Sequence, residues 1–525
     1  PGLLDARALD PPPPAAPPAT DITLVLPVYN APDLLAAALA RIAAGTDLPW
    51  HLVAIDDASP DPRVAPILAA FADAHPGRVT LQANPANRGF VDTANRGLAA
   101  ACDRGGTGPV VLLNADALVP AGWASRLVAP LLADPAVASV TPMSNDAEIF
   151  TIPAICAPSP LPAAAGDRAL AAADARAALL GHAAVAEVPT GMGYCMAIAR
   201  SWLARVPAFD TAFAPGYGEE VDWCQKTRAL GARHLGTARL VVAHVGSGSF
   251  GDARKAALRA RHGALISARY PAYDAEVQAL LARDPLLTPR LALALAHAAG
   301  AAGDEPLPLW LAHSMGGGVD RYLDAAIAAA RDGPGSAAVL RVGGARRWNL
   351  ALHTRAGAVT GGETDDFALI RDLLAPFGPR RVIYACGVGD PDPVTLPDHL
   401  LALARPGRDR SEIELHDYFP LSPAFTLLGA DGRYAGLPAA DSRDRAHIAH
   451  RPDGTAVTLT EWRAAWGRLV DRADRVTAFS GASAALFAAV WPAAAPRIAL
   501  LPHALHTPVP PIAPVPGAQA IGVLG

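Results

Sequence analysis

Short apolar runs alternate with stretches of helical composition over the first third of the chain. Residues 22–27 (ITLVLP), 50–55 (WHLVAI) and 110–113 (VVLL) are apolar and contain β-branched side chains, which favours buried strands. Residues 34–44 and 91–101, which lie between those runs, have helical composition. The order of strand, helix and strand predicts a parallel α/β sheet.

The residues just beyond these apolar runs are polar. Tyr29 follows the first run, Asp56 and Asp57 follow the second, and Asn114 and Asp116 follow the third. Ligands of open α/β sheets bind beyond the carboxyl ends of the strands. The pattern therefore predicts a binding site to which these side chains contribute.

A second α/β pattern begins with the apolar run 307–313 (LPLWLAH). Glycines at 316–318 follow it, and residues 319–331 have helical composition. Further strand candidates are residues 337–342, 381–385, 413–415, 475–479 and 498–501. The repeated pattern predicts a separate second α/β domain.

These patterns divide the chain into four segments. They are a Pro-rich linker or tail (1–20), an N-terminal α/β domain (21–270), a helical linker (271–306) and the second α/β domain (307–525). Residues 154–178, rich in Pro, Ala and Asp, are predicted to be a loop. The chain ends in the apolar run 521–525 (IGVLG), so we expect the second domain to be truncated at its C-terminal end.

The charge, the cysteines and the apolar runs of the chain bear on its binding partners and its location. The chain has 44 basic and 49 acidic residues intermixed, with a formal net charge of -5, so no nucleic-acid partner is expected. The five cysteines form no C-x-x-C pair, which favours the reducing cytoplasm. No apolar run reaches the ~18 residues of a membrane-spanning helix, so no transmembrane segment is expected.

Five motifs occur in order over about 200 residues: LVLPVYN, IDDASPD, NRGFVDTANRGL, LLNADALV and GEEVDWCQ. Alone, the pair Asp56 and Asp57 is equally well explained as turn formers before a helix. Together, the motifs closely resemble the inverting, bacterial-type glycosyltransferase family 2, from Ile22 to about Gly251. This resemblance implies a GT-A fold, the Rossmann-like fold of nucleotide-diphospho-sugar transferases, with a donor half and an acceptor half.

The resemblance also implies which residues bind the donor. The PVYN segment and the aspartate pair would hold the base and ribose, and the N-x-G element would approach the diphosphate, although a plain surface turn also explains that element. The implied donor-binding residues are Pro27, Tyr29, Asp56, Asp57, Asn87, Arg88, Gly89, Asn114 and Asp116.

A divalent metal, Mn²⁺ or Mg²⁺, is implied by the match of Asn114, Ala115 and Asp116 to the family's D-x-D motif. Because Asn114 replaces the first Asp, Asp116 is the one acidic ligand that this motif supplies. His244 stands where related enzymes have a second metal ligand. The alternative for His244 is a structural role.

Glu219, Glu220 and Asp222 match the family's catalytic E-D-x-D stretch. The resemblance implies that Glu220 is the catalytic base. Because Glu is one methylene longer than the Asp that the family commonly has there, the alternative is that Glu219 is the base. An acidic first helical turn is the structural alternative. On the acceptor side, Gly191 and Gly193 would allow a sugar close to the backbone, and Trp223 would stack on it unless it is a core residue. 

The second domain resembles the N-terminal Rossmann-like half of family 4 GT-B glycosyltransferases. The segments that carry this resemblance are residues 414–429 (ELHDYFPLSPAFTLLG) and 476–487 (VTAFSGASAALF). It implies that the glycines at 316–318 approach donor phosphates and that His416 faces a cleft. A half of this kind would be inactive alone, or would hold the growing glycan.

Together these resemblances imply an enzyme that transfers a sugar, with inversion, from a UDP- or dTDP-sugar to a glycan or lipid-linked glycan. Surface polysaccharide biosynthesis, at the cytoplasmic face of the inner membrane, would suit two fused transferases. One alternative is a non-catalytic glycan-binding or scaffold protein derived from a glycosyltransferase. The other, a sugar nucleotidyltransferase, needs a Gly-rich basic loop after the first strand, and VLPVYNAPD contains none.

Overall fold

The structure, a computed structural model, describes residues 2–11, 18–159, 165–246 and 252–503. The strands in these ranges are β1 (Gly2–Leu3), β2 (Ile22–Val28), β3 (Trp50–Asp56), β4 (Val79–Ala83), β5 (Val110–Leu113), β6 (Ala117–Leu118), β7 (Val137–Met143), β8 (Val185–Glu187), β9 (Cys195–Ile198), β10 (Arg233–Val241), β11 (Ala243–His244), β12 (Leu307–His313), β13 (Ser336–Val342), β14 (Trp348–Thr354), β15 (Val359–Thr364), β16 (Arg380–Tyr384), β17 (Arg410–Glu414), β18 (Ala449–His450), β19 (Ala456–Val457), β20 (Arg475–Ala478) and β21 (Ile498–Leu500).

The helices in the same ranges are α1 (Pro32–Gly45), α2 (Val64–Ala74), α3 (Phe90–Asp103), α4 (Trp123–Ala133), α5 (Ala165–Ala177), α6 (Arg200–Leu203), α7 (Glu219–Arg228), α8 (Asp252–Arg269), α9 (Tyr273–Arg283), α10 (Leu287–Ala302), α11 (Gly318–Asp332), α12 (Phe367–Leu374), α13 (Leu396–Leu403), α14 (Leu459–Arg472) and α15 (Gly481–Val490). Among these described helices, none combines the length and the apolar character that crossing a bilayer requires.

The first unit is built on an eight-stranded sheet with the order β4-β3-β2-β5-β9-β7-β10-β8. β2 pairs in parallel with β3 and β5, and β3 pairs in parallel with β4. β9 is antiparallel to both β5 and β7. One half of the sheet is therefore parallel, as the sequence pattern predicts, and the other half is mixed.

Helices cover both faces of this sheet because its central strands are apolar on both faces. In β2, Leu24 packs into the core on the side of α1, whereas Val25 packs with α3 on the opposite side. Gly97 of α3 lies directly against Val25, where a Cβ would collide with the valine side chain. The close packing of α3 on β2 therefore depends on this glycine.

The second unit is built on a nine-stranded sheet with the order β1-β15-β14-β13-β12-β16-β17-β20-β21. The strands from β13 through β12 to β21 are parallel to one another, while β14 is antiparallel to its neighbours β13 and β15. The sequence pattern predicts the parallel strands but not the β14–β15 hairpin. The apolar run 521–525, from which a truncated second domain is expected, lies outside the described residues.

Two segments differ from the sequence expectations. Within residues 1–20, predicted as a linker, β1 adds to the edge of the second sheet, and the Asp5 amide donates to Thr288 Oγ1 at 2.8 Å. Residues 154–178, predicted as a loop, include α5, which packs against α10. Both segments owe their structure to contacts with distant parts of the chain, which local composition does not encode.

Helix α10 lies between the two units. It contacts α5 of the first unit and α12, β14 and β15 of the second. Its side chains are buried on every face from Thr288 to Ala296. Apart from Thr288 and Arg290 these buried residues are apolar, and α10 joins the cores of the two units into one continuous core.

Candidate active site

A cavity of about 800 Å³ opens at the carboxyl ends of β2 and β5. Most of the residues that the sequence singles out line it: Pro27, Tyr29, Asp57, Asn87, Gly89, Asn114, Asp116, Gly191, Glu219, Glu220 and His244. Candidate donor, metal and catalytic positions, separated by more than 200 residues along the chain, therefore share one cavity. Asp56, Arg88, Gly193, Asp222 and Trp223 are not among its lining residues.

Asp57 organises the turn that carries the N-x-G element. Its carboxylate is 3% exposed and accepts hydrogen bonds from the Arg88 amide at 2.8 Å, the Gly89 amide at 2.9 Å and Asn84 Nδ2 at 2.7 Å. Three donors satisfy a buried carboxylate that would otherwise be costly. Asp57 therefore shapes the cavity wall at Asn87 and Gly89.

Asp56 and Arg88, both predicted to bind the donor, have other partners in the structure. Asp56 Oδ1 accepts a hydrogen bond from the Ser59 amide at 3.0 Å, which stabilises the turn after β3. The Arg88 guanidinium is more than half exposed and pairs with Asp92, one helical turn on, at 3.6 Å. The structure therefore places both side chains beside the cavity rather than in its lining.

The candidate metal ligands are brought together by a small antiparallel ladder. β6 pairs with β11 so that His244 lies opposite Ala117, which places the imidazole beside Asp116. His244 Nε2 lies 3.5 Å from Asp116 Oδ1, and both side chains are largely buried. Burial lowers the pKa of His244, but the hydrogen bond and charge of Asp116 outweigh it, so the pKa is raised overall.

The orientation of the His244 ring is fixed by the loop after β7. His244 Nδ1 donates to the Asp146 carbonyl at 2.7 Å, and the backbone of His244 exchanges hydrogen bonds with the Asn145 side chain. With Nδ1 occupied as a donor, Nε2 faces Asp116: it carries a proton toward that carboxylate when the ring is charged, and it has a free lone pair for a cation when the ring is neutral. This is the arrangement found in metal-ligating histidines.

Glu219 and Glu220 begin α7 directly after a turn with left-handed backbone. Tyr217 has a φ of 75° and Gly218 a φ of 98°, which turns the first residues of the helix toward the cavity. Glu220 Oε1 accepts a hydrogen bond from the Gly193 amide at 3.0 Å. Gly193 thus acts through its backbone, because a Cβ there would collide with this carboxylate.

Burial raises the pKa of both carboxyl groups. Glu219 is 2% exposed, and the pKa of its carboxyl is raised well above its ordinary value, by burial and then by the charge of Glu220. Burial also raises the pKa of Glu220, but less far, because hydrogen bonds from its own amide and that of Gly193 favour the charged form. Carboxyl groups with perturbed pKa values in a cavity are typical of acid–base sites.

Asp222 and Trp223, predicted for catalysis and acceptor stacking, are core residues. The Asp222 carboxylate is fully buried, lies 2.7 Å from both Lys226 Nζ and Arg269 Nη1, and accepts from the Tyr270 hydroxyl at 2.8 Å. Trp223 is 1% exposed and donates from Nε1 to a backbone carbonyl. The roles suggested for them need correction, because helical spacing places both side chains away from the cavity lining.

Sequence reasoning missed the cavity residues supplied by α8 and by the loop after β7. Those that bear chemistry are Arg259, His262, Asp146, Glu148 and Cys156. His262 Nδ1 donates to the carbonyls of Gly216 and Tyr217 at 3.0 and 2.8 Å, which holds the turn before Glu219. No motif marks these residues, and only the charged helical pattern after residue 252 gives any signal of α8.

Residues 23–200 match the model of glycosyl transferase family 2. The matched segment contains Asp57 and Asp116 and ends before Glu219, Glu220 and His244. Together with the sheet order, the match gives the first unit the GT-A-like Rossmann fold that the sequence predicts. A comparison with curated protein sequences found no match.

The solved structures with similarity to this chain include the mannosyltransferase PcManGT from Pyrobaculum calidifontis, in complex with GDP-Man and Mn²⁺. It is 24% identical, with 62% of this chain and 85% of that chain covered and a TM-score of 0.37. GalNAc-T7, solved with UDP, GalNAc and Mn²⁺, is 17% identical over 44% of each chain, with a TM-score of 0.35. A mycobacterial protein is 22% identical over 48% of this chain and 74% of that chain, with a TM-score of 0.32.

Proposed function

We propose that the cavity of the first unit is the active site of a metal-dependent glycosyltransferase. It would transfer a sugar, with inversion, from a nucleotide-diphospho-sugar to a glycan or lipid-linked glycan. The observation that supports this proposal most strongly is the meeting of Asp116, His244, Glu219 and Glu220 in one cavity. The family match is a separate line of support. It includes Asp116 but not Glu219, Glu220 or His244, so the meeting of these residues in the cavity does not follow from the match.

The side chains fit a divalent metal. Ligands of Mg²⁺ lie about 2.1 Å from the ion, so two of them lie on the order of 3 Å apart. The 3.5 Å separation of Asp116 Oδ1 and His244 Nε2 is compatible with binding one ion. Among the described residues no cluster of three or more His, Cys, Asp or Glu side chains has metal-site geometry, so phosphate and water oxygens would complete the shell.

The residues proposed to bind the donor lie just beyond the carboxyl ends of the parallel strands. Pro27 and Tyr29 follow β2, and the turn held by Asp57 presents Asn87 and Gly89. We assign the base and ribose to this parallel half of the sheet and the diphosphate to the side of Asp116. A bound metal would supply positive charge that stabilises the departing diphosphate.

The acceptor half depends on the two glutamates. Glu220, anchored at one oxygen by the Gly193 amide, would take the proton from the acceptor hydroxyl as that oxygen attacks the anomeric carbon. Glu219, whose pKa is raised further by burial, would keep its own proton. Attack opposite the departing diphosphate in one displacement inverts the anomeric configuration.

The test is binding and hydrolysis of a panel of nucleotide sugars, including UDP-, dTDP- and GDP-sugars, with and without Mn²⁺ or Mg²⁺. Asp116→Ala should lose metal-dependent nucleotide binding. Glu220→Gln should keep binding and lose turnover, whereas Glu219→Gln should keep most turnover. Glu187→Gln, whose parent side chain lies exposed outside the cavity, is the matched control. If the parent chain binds no nucleotide, the proposal is wrong and a scaffold role replaces it.

The wider assignments remain proposals. We propose that the second unit is the N-terminal half of a GT-B glycosyltransferase, with the glycines at 316–318 at the carboxyl edge of its sheet. Two transferase units in one chain would suit surface polysaccharide synthesis at the cytoplasmic face of a membrane. Transfer of a sugar by this chain to a lipid-linked glycan would test the acceptor assignment.

A further inference from the structure

Residues 144–159, which follow β7 and are here called the wall loop, form one side of the cavity. Asp146, Glu148, Phe150 and Cys156 of this loop are lining residues. In the sheet, β7 is separated from β2 by β5 and β9. The wall loop therefore lies on the opposite half from Pro27, Tyr29 and Asp57. Its first residues, Asn145 and Asp146, hold His244, whereas the part attached by α10 and β15, residues 149–153, follows them on the half that the proposed function leaves for the acceptor.

Arg290 of α10 holds the middle of the wall loop. Its side chain is almost wholly buried, donates to the Ile149 carbonyl at 2.9 Å and to the Thr151 carbonyl, and pairs with Asp284 at 2.8 Å. A guanidinium offers several donors in a fixed plane, so it fixes the two carbonyls relative to each other. Truncating it would leave Asp284 and both carbonyls buried without these partners.

Thr360 of β15 makes a second attachment. Its hydroxyl donates to the Pro153 carbonyl at 2.7 Å, and both groups are buried. β15 belongs to the nine-stranded sheet of the second unit. The first unit's cavity wall is therefore hydrogen-bonded to a strand that lies more than 200 residues away along the chain.

Hydrogen bonds within the wall loop connect these attachments to the cavity. The Ser144 amide donates to the Phe150 carbonyl at 3.1 Å, and the Cys156 amide donates to the Glu148 carbonyl at 2.9 Å. Glu148 and Phe150 thus flank the carbonyl that Arg290 binds. A shift of the Ile149 carbonyl would therefore move the side chains of Glu148 and Phe150, which line the cavity.

We propose that Arg290 and Thr360 are positioning residues through which α10 and the second unit set the acceptor side of the active site. The acceptor role rests on the proposed function, whereas the anchoring of the wall loop does not. The second unit would then be required for the first unit's selectivity, whatever its own activity.

The first experiment measures hydrogen exchange of the intact chain without ligand. Arg290→Met and Thr360→Val should each accelerate amide exchange in residues 149–156, Arg290→Met by about tenfold or more, since loops that lose buried hydrogen bonds open at lower free energy. Arg290→Lys and Thr360→Ser, which keep a donor, should restore part of the protection. Arg380→Met is the matched control, because Arg380 is also buried and bonds the Leu374 carbonyl and Asp409, neither of which belongs to the wall loop.

The second experiment separates acceptor from donor. Hydrolysis of the nucleotide sugar uses water as acceptor, and transfer to simple methyl glycosides uses a sugar. For Thr360→Val and Arg290→Lys, the KM for the methyl glycoside should rise about fivefold while the KM for the donor changes less than about twofold. A shift of the wall loop should weaken binding of the substrate that the loop contacts, which is the acceptor.

Each outcome is decisive. Exchange in residues 149–156 that matches the Arg380→Met control would overturn the anchoring. Faster exchange with unchanged acceptor KM, or with donor and acceptor constants altered equally, would overturn the acceptor role. Absence of any turnover in the parent chain would refute the proposed function and, with it, the acceptor role, while the exchange data would still decide the anchoring.

Discussion

Replacement of Asp57 by Ala should destabilise the first unit and also weaken donor binding. Asp57 accepts hydrogen bonds from the amides of Arg88 and Gly89 and from Asn84 Nδ2, at 2.7 to 2.9 Å. Its side chain is buried, so water does not replace the lost partners fully. The turn that presents Asn87 to the cavity would lose its anchor.

The loss of stability expected for Asp57→Ala can be worked out from the three hydrogen bonds that it removes. A hydrogen bond to a charged group contributes on the order of 1.5 kcal/mol net, so three of them predict a loss of about 3–5 kcal/mol. A loss of 1.4 kcal/mol is tenfold in an equilibrium constant, so opening of this region should increase by roughly 10² to 4 × 10³. Asp56→Ala, which removes one bond to the Ser59 amide, should cost about 1 kcal/mol.

Native-state hydrogen exchange is the suitable assay, because a chain with two sheets need not unfold in one step. Peptides from β3 and α3 should lose protection in Asp57→Ala and keep nearly all of it in Asp56→Ala. Nucleotide affinity, measured by calorimetry, should fall more in Asp57→Ala than in Asp56→Ala. Equal losses of protection in the two variants would show that the three-bond arrangement does not organise the turn.

Three further predictions concern the glutamate pair and its surroundings. Gly193→Ala would place a methyl group against Glu220 Oε1, so kcat should fall by about 10² while nucleotide binding persists; unchanged kcat would contradict the placement of Glu220. Burial first, and the charge of Glu148 in addition, raise the pKa of Glu220 above 4.5, so a base that acts ionised should lose activity as pH falls through that raised value. Glu148→Gln should move this acid limb of the kcat/KM profile to lower pH, and a shift to higher pH would refute the reasoning. Asp222→Asn should lower stability by about 1–2 kcal/mol in native-state hydrogen exchange of α7, because it neutralises a buried carboxylate whose partners Lys226 and Arg269 are 40% and 32% exposed, while donor KM stays unchanged.

The strands of the parallel half of the first sheet, though not their order, were predictable because their signals are local. β2, β3 and β5 are uninterrupted apolar runs, and the polar residues of the site come directly after them. Chain connectivity then forces the ends of parallel strands to one edge. Asp57, Asn114 and Asp116 reach the cavity for this reason.

The rest of the site depends on tertiary contacts that leave no local pattern. Asp222 and Trp223 belong to a matched motif, yet the register of α7 points them into ion pairs and core. The wall loop and Arg290 lie about 140 residues apart, and nothing in either segment identifies the other as its partner. Hydrogen bonds of this range are set by how the two units pack, which a single sequence does not reveal.

The distinction between Glu219 and Glu220 shows why motif and geometry are both needed. The motif identifies adjacent carboxylates at a helix start but cannot rank them, since the two residues are chemically identical. The structure ranks them by surroundings: Glu219 is almost fully enclosed with one oxygen lacking a hydrogen-bond partner, whereas an amide stabilises the charged form of Glu220. Two neighbouring carboxylates in a poorly solvated site resist simultaneous ionisation, so the more enclosed one holds the proton. These surroundings favour the charged form of Glu220 over that of Glu219, which is why the proposed function gives Glu220 the role of base.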